Sequence, residues 1–226
     1  MPTAIDTKTE QARELIRELL AQNKPAAVTS SFQTECMVLV HMLIEQKPDI
    51  PVLFLDTGYH FAETYKYRDA MTERYGLKLT NLAAKQTVAE QESMFGILNQ
   101  TDPSRCCGFR KVEPLFAGLE DYDVWFTALR RDQSPTRANL QEVDPFKLPS
   151  GKALTKVSPL ASWTSQDVWA YLKAHDVPVL PLYDLGYTSI GCEPCTRPPV
   201  DPDNPRSGRW GGHKLECGIH IQPSAS

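Results

Sequence analysis

Apolar runs of strand length alternate with apolar spacings of helical period along most of the chain. Over 7–23, Leu15, Ile16, Leu19 and Leu20 share one face and Pro25 follows, which predicts an amphipathic packing helix. Ala26-Ala27-Val28-Thr29 predicts a short buried strand, and a polar turn over 30–34 separates it from an apolar helix over 36–45. A second buried strand over 51–55 ends at Asp56-Thr57-Gly58 and leads to a helix over 61–75, a strand over 77–82 and a helix over 88–98. Further on, the pattern predicts a weak helix over 111–119 despite Pro114, a strong strand over 124–129, and a strand over 154–157 at the sheet edge. A helix over 164–175 follows, with Ser162 or Thr164 near its N-cap. Beyond Tyr187 no regular element is expected. Continuously apolar strands alternating with helices predict an α/β fold, with a mostly parallel sheet and helices on both faces. No repeat and no second core is visible, so the expectation is one domain over 1–198 and an irregular tail over 199–226.

Composition narrows the function classes. Hydrophobic residues make up 41% of the 226, enough for one sizeable core, and the formal net charge of −4 argues against a broad nucleic-acid footprint. A small anion held by a few local arginines remains compatible. No apolar export signal or membrane-length run is present, so the chain is expected to be cytoplasmic, with neither nucleic acid nor a membrane as partner. In that compartment six cysteines favour metal or redox chemistry over structural disulfides.

Four of those six cysteines form two pairs, Cys106-Cys107 and Cys192-x-x-Cys195, far apart in the chain. Two close pairs of thiolates suggest one centre with four sulfur ligands. Cys-x-x-Cys lets one tight turn present two sulfurs. Adjacent cysteines diverge in a strand and can share a site only from a turn or a helix start. Zinc ribbons favour Cys-x-x-Cys twice, so the spacing favours an iron–sulfur cluster and leaves open a structural zinc site and, behind it, two disulfides.

Four further stretches carry candidate chemistry. Ser30-Ser31-Phe32-Gln33-Thr34 lies between a strand and a helix, where hydroxyls and backbone N–H groups suit a phosphate or sulfate, although a plain polar connection reads equally well. It is no Walker loop, because no Gly-Lys-Ser/Thr occurs. Cys36, which opens the next helix, reads as a small buried residue rather than a ligand. Asp56-Thr57-Gly58 ends a strand where open α/β sheets bind ligands and could hold a ribose or an adenine edge; a helix cap and turn is the alternative. Arg130-Arg131-Asp132-Gln133-Ser134-Pro135-Thr136-Arg137 follows the strongest strand, and guanidinium forks there match phosphate or sulfate oxygens better than they explain a solvated loop. Lys214-Leu215-Glu216-Cys217-Gly218-Ile219-His220 sets a cysteine outside both pairs among cations, a setting that lowers a thiol's pKa and exposes a thiolate nucleophile, although taken alone a tail cysteine is more often incidental.

Together, the split cysteine pairs, the arginine run, Asp56-Thr57-Gly58 and the tail Glu-Cys-Gly-Ile-His resemble the assimilatory adenylyl-sulfate (APS) reductases, over about residues 26–220 and in the same order. The family also contains reductases of the 3′-phosphorylated substrate (PAPS), many lacking both cysteine pairs; this chain is similar to the cluster-containing, APS-using branch. The resemblance implies a Rossmann-like adenine-nucleotide α-hydrolase (PP-loop) fold and a [4Fe–4S] cluster on Cys106, Cys107, Cys192 and Cys195. It implies that Cys217 is the nucleophile, that Lys111 lies between cluster and substrate, and that His220 orders the closed tail. Arg137, Arg206 and Arg209 match the family's phosphosulfate-holding arginines, and Ser30, Ser31, Phe32, Gln33, Thr34, Asp56, Thr57, Gly58 and Arg131 complete the expected substrate site. Some relatives carry a carboxylate where Cys36 stands. The implied reaction reduces adenosine 5′-phosphosulfate to sulfite and AMP through an S-sulfocysteine, with thioredoxin or a glutaredoxin-like protein as reductant. A homo-oligomer is compatible with the sequence. The competing readings are a PAPS reductase and, in another class, a zinc-stapled module binding nucleotide or RNA, which would leave Cys217 without a task.

Overall fold

The computed structural model describes residues 3–201, 204–212, 214 and 216–221. Parts of the expected tail over 199–226 lie outside the described residues. The first helix, α1 (Ala4–Leu20), starts earlier than its apolar face suggests. Thr3 and Asp6 form a capping box there: each side chain accepts from the other residue's backbone N–H, satisfying donors that the first turn leaves open.

The strands follow as β1 (Ala26–Thr29), β2 (Pro51–Asp56), β3 (Lys78–Ala83), β4 (Val124–Phe126), β5 (Val143–Lys147) and β6 (Ala153–Val157), in the spatial order β3-β2-β1-β4-β6-β5. All neighbours pair in parallel except β5, which runs antiparallel to β6. The expected mostly parallel α/β sheet is present. The strand over 154–157 is not the edge, however; β5 covers it. Pro145 sits within β5, and a proline inside a strand cannot donate to a neighbour, so it hides an edge strand from pattern reading. The strand expected over 124–129 keeps ladder pairing only through Phe126.

Side-chain alternation splits the core into two. Ala26 and Val28 of β1, Val52 and Phe54 of β2, and Val124 and Phe126 of β4 face one cluster; Ala27, Leu53 and Trp125 face the other. The first face is covered by α1, α2 (Thr34–Gln46), α3 (Ala62–Tyr75) and α8 (Ser165–Ala174), through residues such as Ile16, Leu39, Tyr67 and Val168. The second face is covered by α7 (Glu113–Leu119), through Leu115, Phe116 and Leu119. α8 begins at Thr164 with a second capping box to Asp167.

The helix expected over 88–98 is broken. α4 (Val88–Phe95) ends at Gly96, whose positive φ of 72° leaves the helical region, and a short α5 (Leu98–Thr101) and α6 (Pro103–Cys107) follow. A π-helical segment, Gly108–Val112, joins α6 to α7. Pro114 is accepted because it lies in the first turn of α7, where its missing N–H would have no partner.

Leu43 of α2 is fully buried in the first cluster, while Leu185 is 66% exposed. Leu43→Ala should lower the unfolding free energy by about 2–5 kcal/mol. Leu185→Ala should stay within about 0.5 kcal/mol of the parent in the same denaturant titration.

Candidate active site

The strand order reverses around β1 and β4, so the segments after these strands diverge and leave a crevice at their C-terminal ends. A cavity of about 550 Å³ lies there, of a size suited to a small molecule. Ser30, Ser31, Gln33 and Thr34 line it from β1, Arg130 and Arg137 from β4, Lys111 from the π segment, and Arg206, Arg209, Cys217 and His220 from the tail.

Beside it, a smaller cavity is lined by Cys106, Cys107, Cys192 and Cys195 together. Folding has therefore brought the split pairs to one place, and all four are free thiols. Cys106 and Cys107 end the short α6 and run into the π segment, rather than standing in a turn or at a helix start as expected. Neighbouring residues on a helix are about 100° apart, close enough for both thiols to face one cavity. Cys192 and Cys195 are joined by a tight turn, Glu193–Cys195, in which Cys195 N–H donates to Cys192 O at 3.0 Å. The turn is anchored by the fully buried Thr196, whose hydroxyl donates to the same oxygen at 2.8 Å, and by Glu193 N–H donating to Tyr59 O at 2.7 Å.

Burial pushes the Cys106 thiol up to about 11, and the nearby Cys107, Cys192 and Cys195 add to it. Burial also raises Cys107 and Cys195. A bound cation would reverse this, because thiolates ligate metals and four soft sulfur donors select zinc or iron–sulfur centres. The residues present fit such a group.

Lys111, Arg209 and Trp210 line both cavities. Burial alone would pull Lys111 down, but its electrostatic coupling to Cys192, Cys217 and Cys107 outweighs it and holds the ammonium above its ordinary value. Arg209 is 5% exposed, donates to Ile190 O at 3.0 Å and lies 4.4 Å over the Trp210 ring. Burial lowers its pKa, opposed by Cys192, Cys217 and Cys195, and no carboxylate lies within ion-pair range among the described residues. Gly191 makes room for it: a Cβ there would come within 2.1 Å of an Arg209 guanidinium nitrogen.

Several expected contacts fall elsewhere. Phe32 does not line the large cavity; it is fully buried against Phe54, held at a φ of 57° that non-glycine residues rarely adopt. Asp56, Thr57 and Gly58 also lie outside that lining. Asp56 accepts from Gly58 N–H and from the Tyr65 hydroxyl, and the buried Thr57 hydroxyl lies 3.3 Å from Cys192 Sγ, so this motif supports the thiol centre. Arg131 turns away, donating to Leu140 O, while its neighbour Arg130 faces the cavity with its charge matched by Glu35 at 2.9 Å and Asp132 at 2.5 Å. The expected set of substrate contacts left out Arg130, Glu35 and Glu216, although Arg130 and Glu216 lie within motifs the sequence singles out. The Glu216 carboxylate fills the Arg137 fork, at 2.9 Å to Nε and 2.7 Å to Nη2, and also accepts from Thr136. Burial pushes Glu216 up, but Arg137 and Arg206 outweigh it and hold the carboxylate below its ordinary value.

The phosphoadenosine phosphosulfate reductase domain family matches residues 25–198, and the chain belongs to that family. An adenosine 5′-phosphosulfate reductase of Rhodococcus opacus is 46% identical over 188 residues, covering 81% of this chain and 74% of the relative. A protein of the same description from Mycobacterium tuberculosis is 48% identical, covering 81% of this chain and 72% of its own length. Among solved structures, a phosphoadenylyl-sulfate reductase from Candida auris in complex with phosphate superposes with a TM-score of 0.69 at 23% identity, covering 85% of this chain and 97% of that one. An FMN adenylyltransferase of Candida glabrata in complex with ATP superposes with a TM-score of 0.61 at 18% identity, covering 83% and 61%. These likenesses show the PP-loop type of α/β fold that the sequence implies. No helix among the described residues is long and apolar enough to cross a membrane.

Glu216 holds on Arg137 the place an incoming anion would take. Glu216→Gln removes that competing charge. Sulfate binding, followed as a thermal shift against concentration, should tighten by about fivefold, the equivalent of roughly 1 kcal/mol. An unchanged binding curve would show that Arg137 takes no anion.

Proposed function

We propose that this protein reduces adenosine 5′-phosphosulfate to sulfite and AMP in assimilatory sulfate reduction, in the cytoplasm, with Cys217 as nucleophile. The observation that carries this reading is the placement of the Cys217 thiol, outside the four-thiol centre, at a cavity lined by Lys111, Arg137, Arg206 and Arg209; Cys36 also lines that cavity, but burial raises its pKa and disfavours its thiolate. A thiolate attacking a sulfate group meets negative oxygens, so the attack needs cations aimed at those oxygens. Lys111 and Arg209 sit where they can neutralise both the thiolate and the anion. Ser30, Ser31, Gln33 and Thr34, at the first turn of α2, offer hydroxyls and amides to the nucleotide side.

The reaction balances in two thiol steps. Cys217 Sγ forms a bond to the sulfate sulfur, the sulfur–oxygen bond to the phosphate breaks, and AMP leaves with the electron pair. A dithiol protein, thioredoxin or a glutaredoxin-like partner, then attacks Cys217 Sγ and expels sulfite. Its second thiol resolves the mixed disulfide, returning Cys217 as a thiol and leaving the partner oxidised by two electrons. A [4Fe–4S] cluster on Cys106, Cys107, Cys192 and Cys195 would supply a structural anchor and a fixed charge beside Lys111. His220 is held neutral: burial, reinforced by Lys156, Arg137 and Arg206, keeps its pKa well below the ordinary value, so it orders the tail and is not a proton donor at neutral pH.

Two measurements test this. Mixing APS with the iron-loaded enzyme, without reductant, should release one AMP per chain and add one sulfonate to Cys217; Cys217→Ser should keep its iron, bind APS and form no adduct, because a serine hydroxyl is scarcely ionised. An adduct on that variant would place the nucleophile elsewhere. Cys192→Ser should lose the iron and the broad absorbance near roughly 400 nm that thiolate-ligated iron gives; full iron content, or a colourless zinc-bearing parent, would remove the cluster from the proposal.

A further inference from the structure

The segment after Cys217 enters the protein core. Ile219 packs against the second cluster, beside Leu115, Phe116 and Trp125. The His220 ring stacks on the Trp125 indole, with centroids 5.5 Å apart and planes 17° apart. Beneath them lies Lys156 of β6, 6% exposed, which donates to His220 O at 3.3 Å and places its ammonium 5.3 Å from the Trp125 ring and 5.5 Å from the Phe146 ring. Trp125 is itself fixed by donating from its indole N–H to the Thr29 hydroxyl at 2.9 Å. Neither Trp125 nor Lys156 lines the anion cavity or the thiol cavity.

A buried lysine without a carboxylate partner is expensive to keep. Among the described residues no acidic group lies within ion-pair range of Lys156; its contacts are two aromatic faces and a tail carbonyl. Burial pulls its pKa down to about 8, with Asp144 and Glu216 opposing and Arg137 assisting. A methionine would serve packing better there. The cation instead meets the one segment of the chain that follows the lone thiol. On the other side of that thiol, the Arg137–Glu216 pair fastens the chain again.

We propose that Trp125 and Lys156 are positioning residues, a seat in the sheet that receives the ring and carbonyl of His220 and so sets the Cys217 thiol at the mouth of the anion cavity. The proposal rests on the reading of Cys217 as nucleophile, and its test separates the two. Lys156→Met keeps the apolar stem over the rings and removes the ammonium. In the full-length, iron-loaded protein, three quantities are read: thermal midpoint, steady-state APS turnover, and the rate at which iodoacetamide modifies Cys217 without substrate, located by peptide mass.

The seat requires that the midpoint not fall, because an uncompensated buried charge is gone. It requires that Cys217 alkylation rise and kcat fall, each by about tenfold, the loss of roughly one charge-assisted hydrogen bond. KM should stay within about twofold, since the cavity lining is untouched. Trp125→Phe, which loses the Thr29 bond and much of the stacking face, should move alkylation in the same direction, which keeps the test decisive if Lys156→Met fails to fold. Wild-type alkylation in folded variants overturns the seat whether or not Cys217 reacts with APS. Raised alkylation with unchanged turnover overturns the positioning role, whereas the absence of a sulfonate on Cys217 of the parent protein overturns Cys217 as nucleophile and leaves the alkylation result standing.

Discussion

The constraint on which the rest of the site depends is the partition between two cavities, made by Lys111 and Arg209. On one side four thiols are crowded together, and burial together with mutual repulsion resists their ionisation. On the other side is the larger cavity, lined by Arg137, Arg206 and the Cys217 thiol, the side on which the proposed attack on an anion would take place. The same two cations face both sides. Neither is matched by a carboxylate among the described residues, in contrast to Arg130, whose charge is absorbed by Glu35 and Asp132. A cation paired with a protein carboxylate must first give it up before it can neutralise a ligand, as Arg137 would have to give up Glu216; Arg209, with no carboxylate in ion-pair range among the described residues, has none to give up.

The fold supplies this partition from both ends of the chain. Lys111 comes from a π-helical segment directly after Cys106 and Cys107, and such segments are rare in helices and frequent at functional sites. Arg209 comes from the tail, threaded past Gly191, where any side chain would collide with its guanidinium. The residue after that glycine is Cys192. A ligand pair and the cation that faces it are thus fixed by one close approach of backbone to side chain. The sheet contributes by alternation: Val124 and Phe126 face one core while Trp125 faces the other, which puts an indole on the side where the tail arrives.

Much of this was legible in the chain. Strongly periodic or continuously apolar segments such as 26–29, 36–45 and 51–55 predict the elements found there, because tertiary packing and local pattern agree. The misses have physical causes. β5 carries Pro145, tolerated only because the strand is an edge, and edge position is a property of the assembled sheet. Asp56-Thr57-Gly58 stands at a strand end, where ligands bind in open sheets, yet its side chains turn to Tyr65 and Cys192. Arg130 and Arg131 are equivalent in sequence; only the path of the chain after β4 decides that the first faces the cavity and the second caps Leu140. Cysteine spacing survived folding better, since four thiols have few reasons to converge other than a shared centre.

Glu216 and His220 show how a short tail can place a thiol without regular structure. A lone cysteine on an unrestrained segment would spend most of its time away from the cavity, and the fraction correctly placed would scale the rate directly. Two anchors of different chemistry bracket Cys217 here: a bidentate carboxylate–guanidinium pair before it, and a ring stack with a buried ammonium after it. The anchors differ in what can displace them. An arriving phosphosulfate competes with Glu216 for Arg137 because both are anions seeking one fork. Nothing in such a ligand competes for the Trp125 face or for a cation buried beneath a backbone carbonyl. The contact before Cys217 is therefore one an anion can compete for, and the contact after it is one an anion cannot.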